Sequence, residues 1–286
     1  MNGVLVVDKP KGITSFDVVR DVRRALKAAK VGHTGTLDPM ATGVLPLCVG
    51  EGTKIAQFIT EATKAYDATL KLGATTDTLD ADGTVQVERA VPALTPELLE
   101  AALSRFRGTF QQTPPMYSAV KVNGKRLYEL ARAGEEIERA SREVTVFELV
   151  LRDYSATEVK FSVRSSKGFF VRTLAAELGE ALGCGAHLTA LRRTQSGPFT
   201  LAQAVPLASL VADPSSAKFV SIEAALVDVP ALTVTDAEAG RVKHGGLVEV
   251  GPQVTGLHRV LDGAGRLLAL ADAVRGKLVY RRVLGG

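Results

Sequence analysis

Residues 32–45 read GHTGTLDPMATGVL, too rich in Gly and Thr for a helix interior and too polar for a core strand, which predicts a shaped loop. Within it Asp38 precedes Pro39, which disfavours the helical region for Asp38 and holds its backbone extended. Gly32, Gly35 and Gly43 permit tight turns on either side. The carboxylate is therefore restricted in where it can point. Two readings of such an aspartate stand at this level: an Asx turn, whose side chain bonds nearby amides and has no other task, or a carboxylate held for chemistry. The same loop carries His33, and the most basic middle segment, SSKGFFVRT (165–173), offers cationic partners.

Outward from this loop, strands and helices mix without a regular βαβ repeat, which points to an α+β architecture rather than a doubly wound sheet. Residues 4–7 form a short apolar strand stopped by Lys9, Pro10 and Gly12. Thr14 or Ser15 then caps a helix with Phe16, Val19, Val22 and Leu26 at helical spacing and Arg20, Arg23, Arg24 and Lys27 turned outward. In the strand from 66 to 72, Tyr66, Ala68, Leu70 and Leu72 share one face, opposite Asp67, Thr69 and Lys71. Thr95 and Pro96 open a helix that Gly108 ends; strands follow at 144–154 and 158–164, then a helix at 172–182 ended by Gly183. Residues 206–230, with Asp213 to Ser216 reading DPSS, form a looser junction, and Gly-punctuated short strands beyond it suggest a small β domain.

The length of 286 residues allows about two domains, and 46% hydrophobic with 23% charged residues is a globular balance, not that of a disordered or fibrous chain. No run approaches the roughly 18 apolar residues needed to span a bilayer, and the N-terminus lacks the basic region of a secretory signal. A soluble protein is expected. Two cysteines, Cys48 and Cys184, suit a reducing cytoplasm better than a disulfide scaffold. The net charge of +4 names no partner, but its distribution is patchy: residues 1–30, 160–193 and 273–286 together carry +12, leaving −8 for the rest. That asymmetry is expected of a protein with one face toward a polyanion.

Other chemistries find no support. His33, His187, His244 and His258 are scattered, and no C-x-x-C or H-E-x-x-H spacing occurs, so no metal is expected. The acidic run Asp77, Asp80, Asp82, Gly83 fails as a calcium loop, because Thr78 and Arg89 would fall on its first and twelfth positions. No dinucleotide fingerprint, P-loop or nucleophile elbow is present. What remains is chemistry by one carboxylate.

The segment GHTGTLDPMATGVLPLCVGEGTK (32–54) resembles the signature of the bacterial tRNA pseudouridine-55 synthases, the TruB family. Four more stretches match in order: VLVVDKPKGITS (4–15), YDATLKLGATTDTLDADG (66–83), TPPMYSAVKVNGKRLYELAR (113–132) and SSKGFFVRTLAAELGEALGCGAHLTALRRTQSG (165–197). They extend over most of residues 3 to 200. The resemblance implies a mixed, mainly antiparallel sheet with a central cleft over residues 1–230, a flap insertion at about 123–142, and a small β-rich PUA-like RNA-binding domain at 231–286. It implies a cytoplasmic, stand-alone monomer that isomerises uridine 55 in the T-arm stem-loop of tRNA, without guide RNA, membrane, metal or cofactor.

By the same resemblance Asp38 is the catalytic carboxylate, stabilising the sugar cation, attacking it or removing a ribose proton. His33 resembles a wedge that fills the space of the flipped uridine, although a hydrogen-bonded loop histidine is the plainer reading. Tyr66 falls where the family stacks a tyrosine on the base; on pattern alone it opens a half-buried strand. Arg172 matches the arginine paired with the aspartate, and Phe170 stands where the family often has tyrosine, so a hydroxyl contact is absent there. Leu191 resembles the leucine lining the base pocket, or is a core leucine, and Lys9 has a supporting role. A competing function is an RNA-binding or tRNA-folding protein that uses the same groove without turnover.

Overall fold

A computed structural model describes residues 1–284; Gly285 and Gly286, the end of the expected 231–286 segment, lie outside the described residues. The main sheet is built from strands at Gly3–Lys9 (β1), Thr42–Val49 (β2), Lys64–Leu72 (β3), Gly108–Gln112 (β4), Arg142–Tyr154 (β5), Glu158–Ser165 (β6) and Ala186–Ser196 (β7), with short strands at its margins. Their order is β1-β2-β7-β3-β6-β5-β4. All neighbours are antiparallel except β2 and β7, which pair in parallel at Thr42 with Arg192 and Gly43 with Arg193. The architecture is α+β, a mixed and mainly antiparallel sheet, as expected.

Register explains how the core forms. Antiparallel partners share a face, so Ala68, Leu70 and Leu72 of β3 line up with Phe161 and Val159 of β6 and with Leu191 and Leu188 of β7. Helices at Ser15–Ala25 (α1), Pro96–Ser104 (α2) and Val171–Ala181 (α4) contribute Val18, Val22, Leu99, Leu103, Leu174 and Leu178 to that core. A short helix, Leu127–Arg132 (α3), lies within the expected flap, after a two-stranded ribbon that pairs Lys121 with Arg126.

Three expectations are corrected. The 32–45 stretch is loop only in its middle: residues 31–33 pair antiparallel with β2, and β2 itself begins at Thr42. Gly43 makes this possible, since its φ of +101° and a Cβ position 2.2 Å from the Arg193 carbonyl exclude a side chain where β2 meets β7. Phe16 does not join the core but is 70% exposed. At 100° per residue, Val18, Val19, Val22 and Leu26 define the buried arc, and Phe16 falls outside it beside Arg20 and Arg23. Residues 206–230 are not a loose junction: helices at Leu207–Ala212 and Ile222–Ala225 bury Leu207, Leu210, Ala225 and Leu226, and Phe219 pairs with Leu5 of β1.

Beyond Pro230, strands at Ala231–Thr233 (β8), Gly256–Leu261 (β9), Leu267–Val274 (β10) and Lys277–Val283 (β11) form a separate sheet with a helix at Asp236–Lys243 (α5). Its own core holds Val242, Val260, Ala269 and Ala271. Leu267 and Leu270 instead join a cluster with Val4, Val6 and Val44, so this sheet shares apolar surface with the main one. Cys48 and Cys184 are free and buried, and burial pushes the Cys48 thiol up to about 12. Among the described residues, no helix is long and apolar enough to cross a membrane.

Candidate active site

The loop bearing Asp38 is held by three side chains from outside it together with backbone bonds from the Gly12 amide to the Pro39 carbonyl (2.8 Å) and from the Ala41 amide to the Asp38 carbonyl (3.0 Å). Lys9, at the end of β1 and fully buried, donates from Nζ to the carbonyls of Ala41 (2.7 Å), Pro10 (3.0 Å) and Pro39 (3.2 Å). Ser15, in the first turn of α1, accepts from the Leu37 amide at 2.8 Å and donates to its carbonyl at 3.1 Å. Arg193, buried on β7, donates to the carbonyls of Val44 (2.7 Å), Gly35 (3.1 Å) and Thr36 (3.4 Å). Most carbonyls of this irregular segment thus find donors without the Asp38 side chain.

The Asx-turn reading of Asp38 therefore fails. Its carboxylate accepts no loop amide; its hydrogen bond comes from Arg172 Nη2 to Oδ1 at 3.1 Å, and Arg172 Nε lies 2.8 Å from Oδ2. Arg172 stands in the first turn of α4 with its side chain 4% exposed, while that of Asp38 is 30% exposed. The guanidinium is itself fixed by donation to the carbonyls of Thr78 (2.8 Å) and Tyr117 (2.7 Å). The start of α4 is located by Gln112 on β4, which accepts from the Phe170 amide at 2.8 Å and donates to its carbonyl at 3.2 Å.

Asp80 completes the cluster. It lies 3.6 Å from Arg172 Nε and accepts from the Thr78 hydroxyl at 2.6 Å and the Asp82 amide at 3.2 Å. Burial and then the charge of Asp38 raise its pKa, against the hydrogen bond from Thr78 and the charge of Arg172. In the sequence this acidic run shows only as a failed calcium loop; the signal for its role is its place in the 66–83 stretch. Lys64, Gln112 and Arg193 also escape sequence reading, because nothing in their local pattern separates them from surface residues.

A cleft of about 690 Å³ is lined by Asp38, His33, Tyr66, Phe170, Arg172 and Leu191, so six of the seven expected residues converge on one space. Lys9 stands behind the loop. His33 has a buried Nδ1 without a partner, and its pKa is lowered by burial first and then by the charges of Arg193 and Arg126, which favours a neutral ring. The Phe170 ring carries the Arg142 guanidinium 5.7 Å from its centroid. Lys64, two residues before Tyr66, donates to the carbonyls of Thr60 (2.5 Å) and Ala62 (2.6 Å), and burial with the nearby Arg193 lowers its pKa to about 8. Among the described residues no three His, Cys, Asp or Glu side chains stand together as a metal site.

A mixed sheet with an arginine-anchored aspartate at the floor of an aromatic cleft is the build of a pseudouridylate synthase. The chain belongs to the TruB family of these enzymes: the model of the TruB family pseudouridylate synthase N-terminal domain matches residues 23–171, and that of the tRNA pseudouridylate synthase B C-terminal domain matches 172–225. It is 47% identical to the tRNA pseudouridine synthase B of Azoarcus sp. (strain BH72), over 99% of this chain and 95% of the relative. It is 43% identical to that of Francisella tularensis subsp. tularensis (strain WY96-3418), over 99% and 94%. Among solved structures, a Cbf5-Nop10-Gar1 complex matches with a TM-score of 0.77 and 26% identity over 99% of this chain and 84% of the other. A Nop10-Cbf5 complex matches in fold at a TM-score of 0.73, with 24% identity over 99% and 86%.

Proposed function

We propose that this chain converts uridine 55 in the T loop of tRNA to pseudouridine, with Asp38 as the catalytic residue. The observation that carries the reading is the anchoring of Asp38: a half-accessible carboxylate held by a buried guanidinium and left free of its own loop. Cleavage of a glycosidic bond develops positive charge on the ribose, and a fixed carboxylate facing it can stabilise that charge, attack the sugar carbon or take a ribose proton. Arg172 orients Asp38, and Asp80 faces the same Nε of the guanidinium at 3.6 Å. Tyr66, Phe170 and Leu191 supply flat and apolar surface for a base turned out of its stack, and a neutral His33 fits the gap it leaves.

The reading extends to the T-arm stem-loop as the recognised element and to a cytoplasmic monomer acting without guide RNA or cofactor. Residues 1–230 are the catalytic unit, and the β8–β11 sheet is an RNA-binding appendage of the PUA kind. A binder that folds tRNA without turnover would have no use for a carboxylate aimed into the groove, since it would repel phosphate. The test is tritium release from T-arm RNA labelled at carbon 5 of uridine. Release by the wild-type chain and none by Asp38→Asn is expected; no release by the wild type, with RNA bound, would favour the folding protein.

A further inference from the structure

The three basic segments of the sequence differ in what the fold does with them. In 160–193 the charges are consumed internally: Arg172 and Arg193 hold the catalytic loop, while Lys160 pairs with Asp153, Arg192 with Asp8 and Lys167 with Glu61. Helix α1 is different. Arg20 pairs with Asp17 and Asp21, but Arg23, Arg24, Lys27 and Lys30 are all exposed, and none has an acidic partner within 4 Å among the described residues.

These cations share a face with an aromatic ring. At 100° per residue Phe16, Arg20 and Arg23 fall within about 60° of one another, with Arg24 at the margin and the exposed Lys27 just past the helix end. The stripe begins next to the catalytic loop, because Ser15, adjacent to Phe16, bonds both backbone groups of Leu37, the neighbour of Asp38. Its far end is strained. Helix α1 closes in a Schellman turn, with the Ala28 amide on the Arg23 carbonyl (3.1 Å) and the Lys27 amide on the Arg24 carbonyl (3.2 Å). The left-handed position of that turn, φ +50°, is held by Lys27 where glycine is usual.

A favourable interaction with the helix dipole accounts for cations near the C-terminal end of α1, but not for a bare phenylalanine at the other end. We infer that the outer face of α1 is an RNA-docking surface, on which a base stacks against Phe16 while the flanking backbone phosphates meet Arg23, Arg24 and Lys27. The inference rests on the tRNA reading above. An aromatic followed by cations one helical turn apart suits a nucleic-acid strand, which offers flat bases and regularly spaced negative charges.

The test measures tRNA affinity against salt for the full chain, wild type, Phe16→Ala, the triple variant Arg23→Glu/Arg24→Glu/Lys27→Glu, and Lys27→Gly. The triple variant should bind more than about tenfold more weakly at 0.1 M salt and lose roughly two units of logarithmic salt slope, at about 0.7–0.9 per phosphate neutralised. Phe16→Ala should weaken binding with the slope kept. In both, apparent KM should rise by much more than the single-turnover rate at saturating enzyme falls. Lys27→Gly separates RNA binding from fold: it should raise Tm by relieving the left-handed residue, yet weaken tRNA binding. A folded triple variant with wild-type affinity and slope would overturn the inference and leave the stripe to a protein or membrane partner. Failure of the wild type itself to isomerise T-arm RNA would instead remove the functional reading on which it rests.

Discussion

Arg172 and Asp38, 134 residues apart in sequence, meet with Nη2 3.1 Å from Oδ1 and Nε 2.8 Å from Oδ2, and the same guanidinium is tied to carbonyls from two further segments. The carboxylate is thus positioned by the tertiary fold and not by its own loop. An ion pair this buried adds little stability over an apolar replacement, but removing one partner leaves a charge exposed to low dielectric.

Replacing Asp38 by Asn should abolish isomerisation while tRNA affinity stays within a few fold. On the proposed mechanism the change removes the charge that faces the developing ribose cation and barely alters the surface that RNA meets. Comparable single-turnover rates for mutant and wild type would remove Asp38 from the chemistry.

Arg172→Lys should behave almost like Arg172→Ala. An ammonium on a shorter reach cannot serve Asp38 and the Thr78 and Tyr117 carbonyls together, whereas the planar fork does. Turnover should drop by at least about 100-fold and stability by about 2–4 kcal/mol in urea unfolding, from the uncompensated buried groups. A Lys variant with wild-type turnover would show that any positive charge suffices.

The strands with clean alternation, β3 and β6, are legible in the sequence, as are the helices with marked ends, since Thr95-Pro96 and Gly183 act through local backbone preferences. Asp38 and Arg172 are legible through the motifs around them. Phe16 is ambiguous because its spacing fits both a helix face and its edge, and only packing of Val18 and Val22 chooses the arc. Asp80, Lys64 and Arg193 are invisible because their roles depend on partners more than 90 residues away or on carbonyls, which carry no sequence signature. The start of β2 is hidden because Gly43, a loop signal on its own, is there to let Arg193 approach.

Lys9 predicts a pH dependence of stability. Burial lowers its pKa from 10.5 to about 8, against the opposing charge of Asp38. Below pH 8 both folded and unfolded chains carry the proton, and Lys9 contributes no slope. Between pH 8 and 10.5 the unfolded chain binds the extra proton, so stability should rise with pH across that window and level off above it. The gain from this group is on the order of 3 kcal/mol at most. Lys9→Met should lack that part of the slope, and it leaves the buried Ala41 carbonyl without its donor at a cost of about 1–3 kcal/mol, while Pro39 keeps the Gly12 amide. Equal slopes for Lys9→Met and wild type in urea unfolding at pH 7 to 10.5 would contradict the burial argument.

The β8–β11 sheet should contribute RNA affinity without touching the chemistry. Cutting the chain near Ala231 is a poor test, because Leu267 and Leu270 share a core with Val4 and Val6 and their removal would expose the main sheet. Charge reversal avoids this. Lys243, Arg275, Lys277 and Arg282 have no acidic partner within 4 Å among the described residues, whereas Arg281 is held by Asp272 at 2.5 Å. Changing the four unpaired residues to Glu should raise apparent KM and flatten the logarithmic salt dependence of binding by about 0.7–0.9 for each phosphate no longer neutralised. The single-turnover rate at saturating enzyme should change far less, since Asp38, Tyr66 and Arg172 all lie outside the β8–β11 sheet. A folded variant that keeps the full slope and wild-type affinity would show that this sheet does not bind RNA, and the roles of Asp38 and Arg172 would be unaffected.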